Sequence, residues 1–187
     1  MPRLFIAIEF IPTSSFEARA HQLKQVLTGS KVKWVNRDNF HITLKFLGEV
    51  KDYYMNSLIQ LLEEISLSHS PFILMSSGFG FYGKKRDPRI IWYGFHPNLH
   101  YTKLQSSIED SLTLLGFEKE GKYDPPHMTL GRVKSILPRK DLSAILCELK
   151  SEAEGHPVSR FSLIKSTLNK QGSVYTVIRD FELGEKK

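Results

Sequence analysis

The sequence of 187 residues has a single cysteine, Cys147, in "DLSAILCELK". One thiol excludes an intramolecular disulfide framework and leaves nothing for a cysteine-based metal cluster, and such usage fits a reducing, cytoplasmic setting. Cys147 lies beside the apolar stripe of a helical pattern and is expected to pack rather than react. No apolar run is long enough to cross a bilayer. The start, "MPRLFIAIEF", has too short an apolar stretch and no small-residue cleavage site for a signal peptide, so it reads as a first strand. Low-complexity tracts and long linkers are missing too, "EKEGKYDPP" being the most linker-like segment. With domains of about 100–200 residues, the chain 1–187 is expected to form one domain. Acidic residues are the minority, 20 Asp and Glu against 26 Lys and Arg, for a net charge of +6. The excess favours a polyanionic partner without requiring one.

A phosphate-cradling loop is also lacking, although "GFGFYGKK" at 78–85 has G-x-G-x-x-G spacing. That mechanism needs a helix whose N-terminal amides hold the phosphates, and a P-loop needs a hydroxyl residue after its lysine. Lys85 stands where the hydroxyl belongs, and "DPRIIWYGF" continues as a strand. The glycines are therefore expected to shape a strand and its turn. Lys84, Lys85 and Arg86 read as a solvated hairpin tip, or as a contact for a phosphate backbone.

Period-two apolar runs mark strands at "RLFIAIEF", "KVKWVN", "FHITLKFL", "FILMSSGFGF", "RIIWYGF", "HMTLGRV", "FSLIKSTL" and "VYTVIRDFEL". Helical spacing marks "SFEARAHQLKQVL", "DYYMNSLIQLLEEIS", "LHYTKLQSSIEDSLTLL" and "RKDLSAILCELKSEA". The class is α+β. From residue 3, and again from residue 89, the order runs strand, helix, connecting segment, strand with a histidine, helix. This is a degenerate duplication, and two similar lobes could bring equivalent strands together across a pseudo-two-fold axis.

Those two strands carry the chemistry. "HITL" begins at His41 and "HMTL" at His127. Alternation puts His41, Thr43 and Lys45 on one face, with Ile42, Leu44 and Phe46 on the other. His127 and Thr129 share a face likewise. Arg132 falls on the opposite face unless Gly131 permits a bulge. A lone strand histidine is usually a satisfied polar residue, but recurrence in matching places points to a shared site. Two imidazoles suit phosphodiester cleavage: one takes a proton from water, the other gives one to the leaving oxygen, near the imidazole pKa of ~6.5. Threonine hydroxyls can donate to the non-bridging oxygens. Two histidines without nearby carboxylates make a thin metal site, so no metal is expected. Trp34 could stack on a nucleobase; Phe46 is expected in the core. His21, His69, His96, His100 and His156 lack any repeated context and receive no role.

Together with "RLFIAIEF", "KWVNRDNFHITLKFLGEV", "PRIIWYGF", "PPHMTLGRV" and "LIKSTLNKQGSVYTVIRDFEL", these motifs resemble the 2H phosphoesterase superfamily, and within it the RNA 2′,3′-cyclic phosphodiesterases, also described as 2′-5′ RNA ligases. The resemblance spans Arg3 to about Leu183. It implies a bilobal α+β fold with antiparallel sheets lining a central cleft and helices outside. It also implies metal-independent, cofactor-free hydrolysis of 2′,3′-cyclic phosphates at RNA or nucleotide ends to 2′-phosphates. His41 would be the proton donor and His127 the acceptor, with Thr43 and Thr129 binding phosphate; Arg132 matches a basic residue found after the second motif. Lys45 would be auxiliary. The alternatives are reversible 2′-5′ RNA ligation at the same site and a non-catalytic module that binds RNA ends. A monomer away from membranes needs no further assumption.

Overall fold

The computed structural model describes residues 2–119, 124–137, 141–149, 152–169 and 172–184. Among them the strands are β1 (Arg3–Glu9), β2 (Lys31–Trp34), β3 (His41–Glu49), β4 (Phe72–Lys84), β5 (Asp87–His96), β6 (His127–Ser135), β7 (Gly155–Val158), β8 (Arg160–Asn169) and β9 (Gly172–Glu182). The helices are α1 (Ser14–Val26), α2 (Met55–Leu67), α3 (Leu99–Leu114) and α4 (Leu142–Glu148).

Local chemistry sets the helix ends. Thr13 and Asn98 cap α1 and α3 by accepting from the amides of Phe16 and Tyr101. Past the C-termini, Gly29 and Gly116 take positive φ, 84° and 85°, which most residues resist. The strands pair antiparallel in the order β7-β4-β5-β6-β3-β1-β8-β9, with β2 added beside β6. The arrangement is two-fold in outline. β3 and β6 meet in the middle, joined at the single pair Ile42 and Met128, with β1 flanking one and β5 the other. Residue for residue, His41–Glu49 and His127–Ser135 follow the same sequence of half-buried, buried and exposed positions.

The core is continuous across the centre: Ile6, Leu44, Leu58 and Leu62 belong to the same buried cluster as Tyr93, Leu104, Ile108 and Leu130. Burying such side chains contributes about 1.5–3 kcal/mol each.

Three expectations need correction. "GHPV", outside the eight expected strands, forms β7 beside β4, with His156 buried against Phe10, Tyr93 and Phe95. Its brevity and its proline hid it from any periodicity argument. Cys147 is exposed, because Leu142 and Leu146 take the buried side of α4. That helix is also shorter than 139–153; residues 139, 140, 150 and 151 lie outside the described residues, as do 120–123 of the linker-like segment.

The glycines of 78–83 do shape strand and turn. Gly78 and Gly83 adopt φ of 95° and 112° in β4 and at its hairpin. A Cβ on Gly80 would run into the indole of Trp92, and one on Gly94 would lie 2.6 Å from the same ring. The indole thus lies flat across both strands, and only glycine leaves it room.

Candidate active site

Each H-x-T-L segment opens a central strand, and each contains a bulge at its leucine. Along β1, Ala7 pairs with Thr43 and Ile6 with Lys45, so Leu44 is the extra residue. Along β5, Trp92 pairs with Thr129 and Ile91 with Gly131, so Leu130 is extra. An extra residue reverses the alternation beyond it. Arg132 consequently turns into the cleft that holds His127 and Thr129.

The same reversal overturns two expectations in the first lobe. Lys45 is not on the catalytic face. It is 2% exposed and reaches the other way, its Nζ 2.9 Å from Glu109 Oε2 on α3 and 2.7 Å from the Glu118 carbonyl. Phe46 is not in the core; it is 64% exposed and lines the cleft at the position matching Arg132. Gly131, which matches Lys45, is small for a packing reason: a Cβ there would lie 2.8 Å from Val32 and 3.0 Å from the Trp34 ring. Trp34 itself lines the cleft, with the Lys24 ammonium 5.7 Å from its ring centre.

The cleft measures about 820 Å³ and collects His41, Thr43, His127, Thr129 and Arg132 on one surface. Since Ile42 faces Met128 in antiparallel register, His41 stands opposite Thr129 and Thr43 opposite His127. The histidines are held alike. Nδ1 of His41 lies 2.7 Å from the Asn39 carbonyl, and Nδ1 of His127 lies 3.0 Å from the Pro125 carbonyl, each two residues upstream. A carbonyl only accepts, so Nδ1 carries hydrogen in both rings and Nε2 is the nitrogen left for chemistry.

Their surroundings differ. The His41 ring packs on Phe5 at 4.9 Å and edge-on to Tyr175 at 5.2 Å. Burial holds its pKa below the ordinary imidazole value; the Asn39 carbonyl opposes this, and the nearby charge of His127 reinforces it. His127 has a carboxylate instead. Asp124 Oδ2 is 3.7 Å from its Nδ1, and Asp124 Oδ1 accepts 2.7 Å from the Tyr82 hydroxyl, whose oxygen is 3.3 Å from the same Nδ1. The Tyr82 ring stands perpendicular to the imidazole at 5.1 Å. Burial, then the bond to Asp124, push the Tyr82 phenol above its usual range, so it stays a neutral donor. Sequence reasoning missed both residues. Tyr82 lies inside the false nucleotide motif, and Asp124, three residues before His127, lies in the linker-like segment, where no periodicity marks it.

Among the described residues, no three of His, Cys, Asp and Glu come together as a metal-binding group. No helix of the described residues is long and apolar enough to cross a membrane.

A family model for LigT-like phosphoesterases matches residues 11–92 and 97–175. The RNA 2′,3′-cyclic phosphodiesterase of Archaeoglobus fulgidus is 33% identical over 96% of this chain and 99% of its own. That of Methanocaldococcus jannaschii is 33% identical over 96% and 99%. Among solved structures, TT0787 of Thermus thermophilus superposes with a TM-score of 0.80 at 24% identity, covering 99% of this chain and 100% of its own. E. coli LigT does so at 0.77 and 22%, covering 98% and 99%. The paired motifs, the doubled fold and these matches together place the chain in the LigT-like phosphoesterase family of the 2H phosphoesterase superfamily.

Proposed function

We propose that this protein hydrolyses 2′,3′-cyclic phosphates at RNA or nucleotide ends to 2′-phosphates, by a two-histidine mechanism that needs no metal. The observation that carries it is the pair of imidazoles on adjacent strands, each pinned through Nδ1 so that Nε2 serves the same cleft. Relatives named as RNA 2′,3′-cyclic phosphodiesterases agree with the reaction. The solved complex of E. coli LigT with 3′-AMP fits a nucleotide-sized ligand.

In this mechanism His127 Nε2 takes a proton from water as its oxygen attacks phosphorus. The bond from phosphorus to O3′ breaks, and His41 gives its proton to that oxygen, leaving a 2′-phosphate and a 3′-hydroxyl. Thr43, Thr129 and Arg132 hold the non-bridging oxygens as charge builds. The surroundings support this division of roles. Asp124 beside His127 steadies the imidazolium that forms when the base is protonated, while a buried His41 with a lowered pKa gives up its proton readily.

The direct test is turnover of a cyclic-phosphate-ended RNA and a cyclic mononucleotide, with the phosphate position in the product identified. A 2′-phosphate formed at an undiminished rate in EDTA is expected. Loss of activity in chelator, restored by zinc or manganese, overturns the metal-free mechanism, and no turnover at all favours an end-binding module.

The titration of His41 gives a second prediction. As the acid, His41 must be protonated, and burial holds its pKa in the free enzyme below the ordinary imidazole value of ~6.5, so an NMR titration of the His41 ring is expected to show its midpoint below that pH. An anionic phosphate bound in the cleft should raise the midpoint, because it favours the charged ring. A midpoint at or above the ordinary value, or one that phosphate leaves unmoved, would count against His41 as the acid.

Asp124→Asn keeps the shape but removes the charge beside the base. It should lower kcat by about tenfold, equivalent to roughly 1.4 kcal/mol, with little change in KM. Unchanged steady-state kcat refutes its role.

A further inference from the structure

Two hairpins of unlike chemistry flank the cleft. β8 and β9 form the one beside His41, contributing Val174 and Tyr175 to the wall, with Leu168 exposed near the tip. β4 and β5 form the one beside His127, where Tyr82 and Ile90 pair across the strands and line the cleft. Just past that pair the second hairpin carries Lys84, Lys85, Arg86 and Arg89.

Acidic neighbours answer only half of this charge. Asp87 pairs with Arg89 at 2.7 Å and Asp141 with Lys85 at 2.9 Å. Among the described residues, Lys84 and Arg86 have no carboxylate within ion-pairing distance. The tip also touches the neighbouring helix. Asp141 is the N-cap of α4, accepting from the Ser143 amide at 2.9 Å, so its pair with Lys85 ties the tip to that helix. Gly83 re-aims the tip: the register shifts beside it, its φ is 112°, and a Cβ would lie 2.6 Å from the Asp87 carbonyl oxygen. A tip bent at Gly83, with two cations that have no carboxylate partner among the described residues and next to the proposed phosphate cleft, is arranged for a second anion covalently linked to the first.

We propose that the tip of the β4–β5 hairpin, through Lys84 and Arg86, binds the phosphodiester backbone of an RNA strand whose cyclic-phosphate end occupies the cleft. The proposal rests on the cyclic phosphodiesterase reading and narrows its substrate class to oligonucleotides. At ~3.3 Å per residue, Lys84 lies about 7 Å beyond Tyr82 along β4, a span suited to a neighbouring phosphate rather than the reacting one. The opposite wall, with exposed Phe46 and half-buried Tyr175 beside His41, offers aromatic surface where the terminal base can stack. Backbone and base thus leave the reacting phosphate toward different walls.

The test compares the wild-type chain with Lys84→Glu/Arg86→Glu on a cyclic mononucleotide and on a short single-stranded RNA ending in a 2′,3′-cyclic phosphate. For the variant, kcat/KM on the RNA should fall by about tenfold or more, with less than about twofold change on the mononucleotide. The slope of log kcat/KM against log salt on RNA should become shallower by about 1.4, at roughly 0.7 per lost phosphate contact on a single strand. Equal loss on both substrates, or none on the RNA, overturns the docking site while leaving the phosphodiesterase reading intact. Failure of the wild type on both substrates overturns the reading itself.

Discussion

Alanine at His41 or at His127 is expected to lower turnover of a 2′,3′-cyclic phosphate by roughly 10² to 10⁴ at each position, the usual worth of a positioned acid or base. The fold should survive either change. Both side chains sit at strand starts on the cleft face, and the core beneath them is built by Ile42, Leu44, Met128 and Leu130. A shared loss of activity does not tell the roles apart, but the leaving group does. An aryl phosphodiester with an activated phenol departs without a proton, so the acid becomes dispensable. With that substrate His41→Ala should recover much of its rate, and His127→Ala, which still lacks a base for water, should not. Recovery confined to the His127 variant means the roles are exchanged. Full activity of either variant on the cyclic phosphate defeats the two-histidine mechanism altogether.

The largest expected effect on stability comes from Lys45→Met. Lys45 is buried behind the first motif and joins β3 to α3 through Glu109, with the Glu118 carbonyl as a second acceptor. Removing one partner of a buried ion pair costs about 3–5 kcal/mol, since the other charge stays largely desolvated after losing that partner. Glu109 retains 17% side-chain exposure, so the lower end, about 3 kcal/mol, is expected. Urea denaturation should show it as a lower midpoint at unchanged slope. Adding Glu109→Leu should restore part of the loss, because an apolar pair can replace a buried ion pair at little cost. A shift too small to measure would show that solvent reaches the pair. A cleft-facing Lys45, as strict alternation predicts, would instead weaken substrate binding and leave stability nearly untouched.

Lys45 also marks where sequence reasoning stops. By itself, the sequence determined the α+β class, the doubled order of elements, the placement of two H-x-T pairs on equivalent strands and the false promise of "GFGFYGKK". These follow from local periodicity, from turn and cap chemistry, and from repetition within one chain. Only the tertiary structure decided which way the residues after each threonine face. Alternation holds while a ladder is regular, and the extra residues Leu44 and Leu130 are visible only against β1 and β5, dozens of residues away in sequence. Those bulges send Lys45 inward and bring Phe46 and Arg132 into the cleft. Tyr82 and Asp124 were illegible for a related reason. Forty-two positions separate them, and their meeting at His127 depends on strand pairing, which no local pattern encodes.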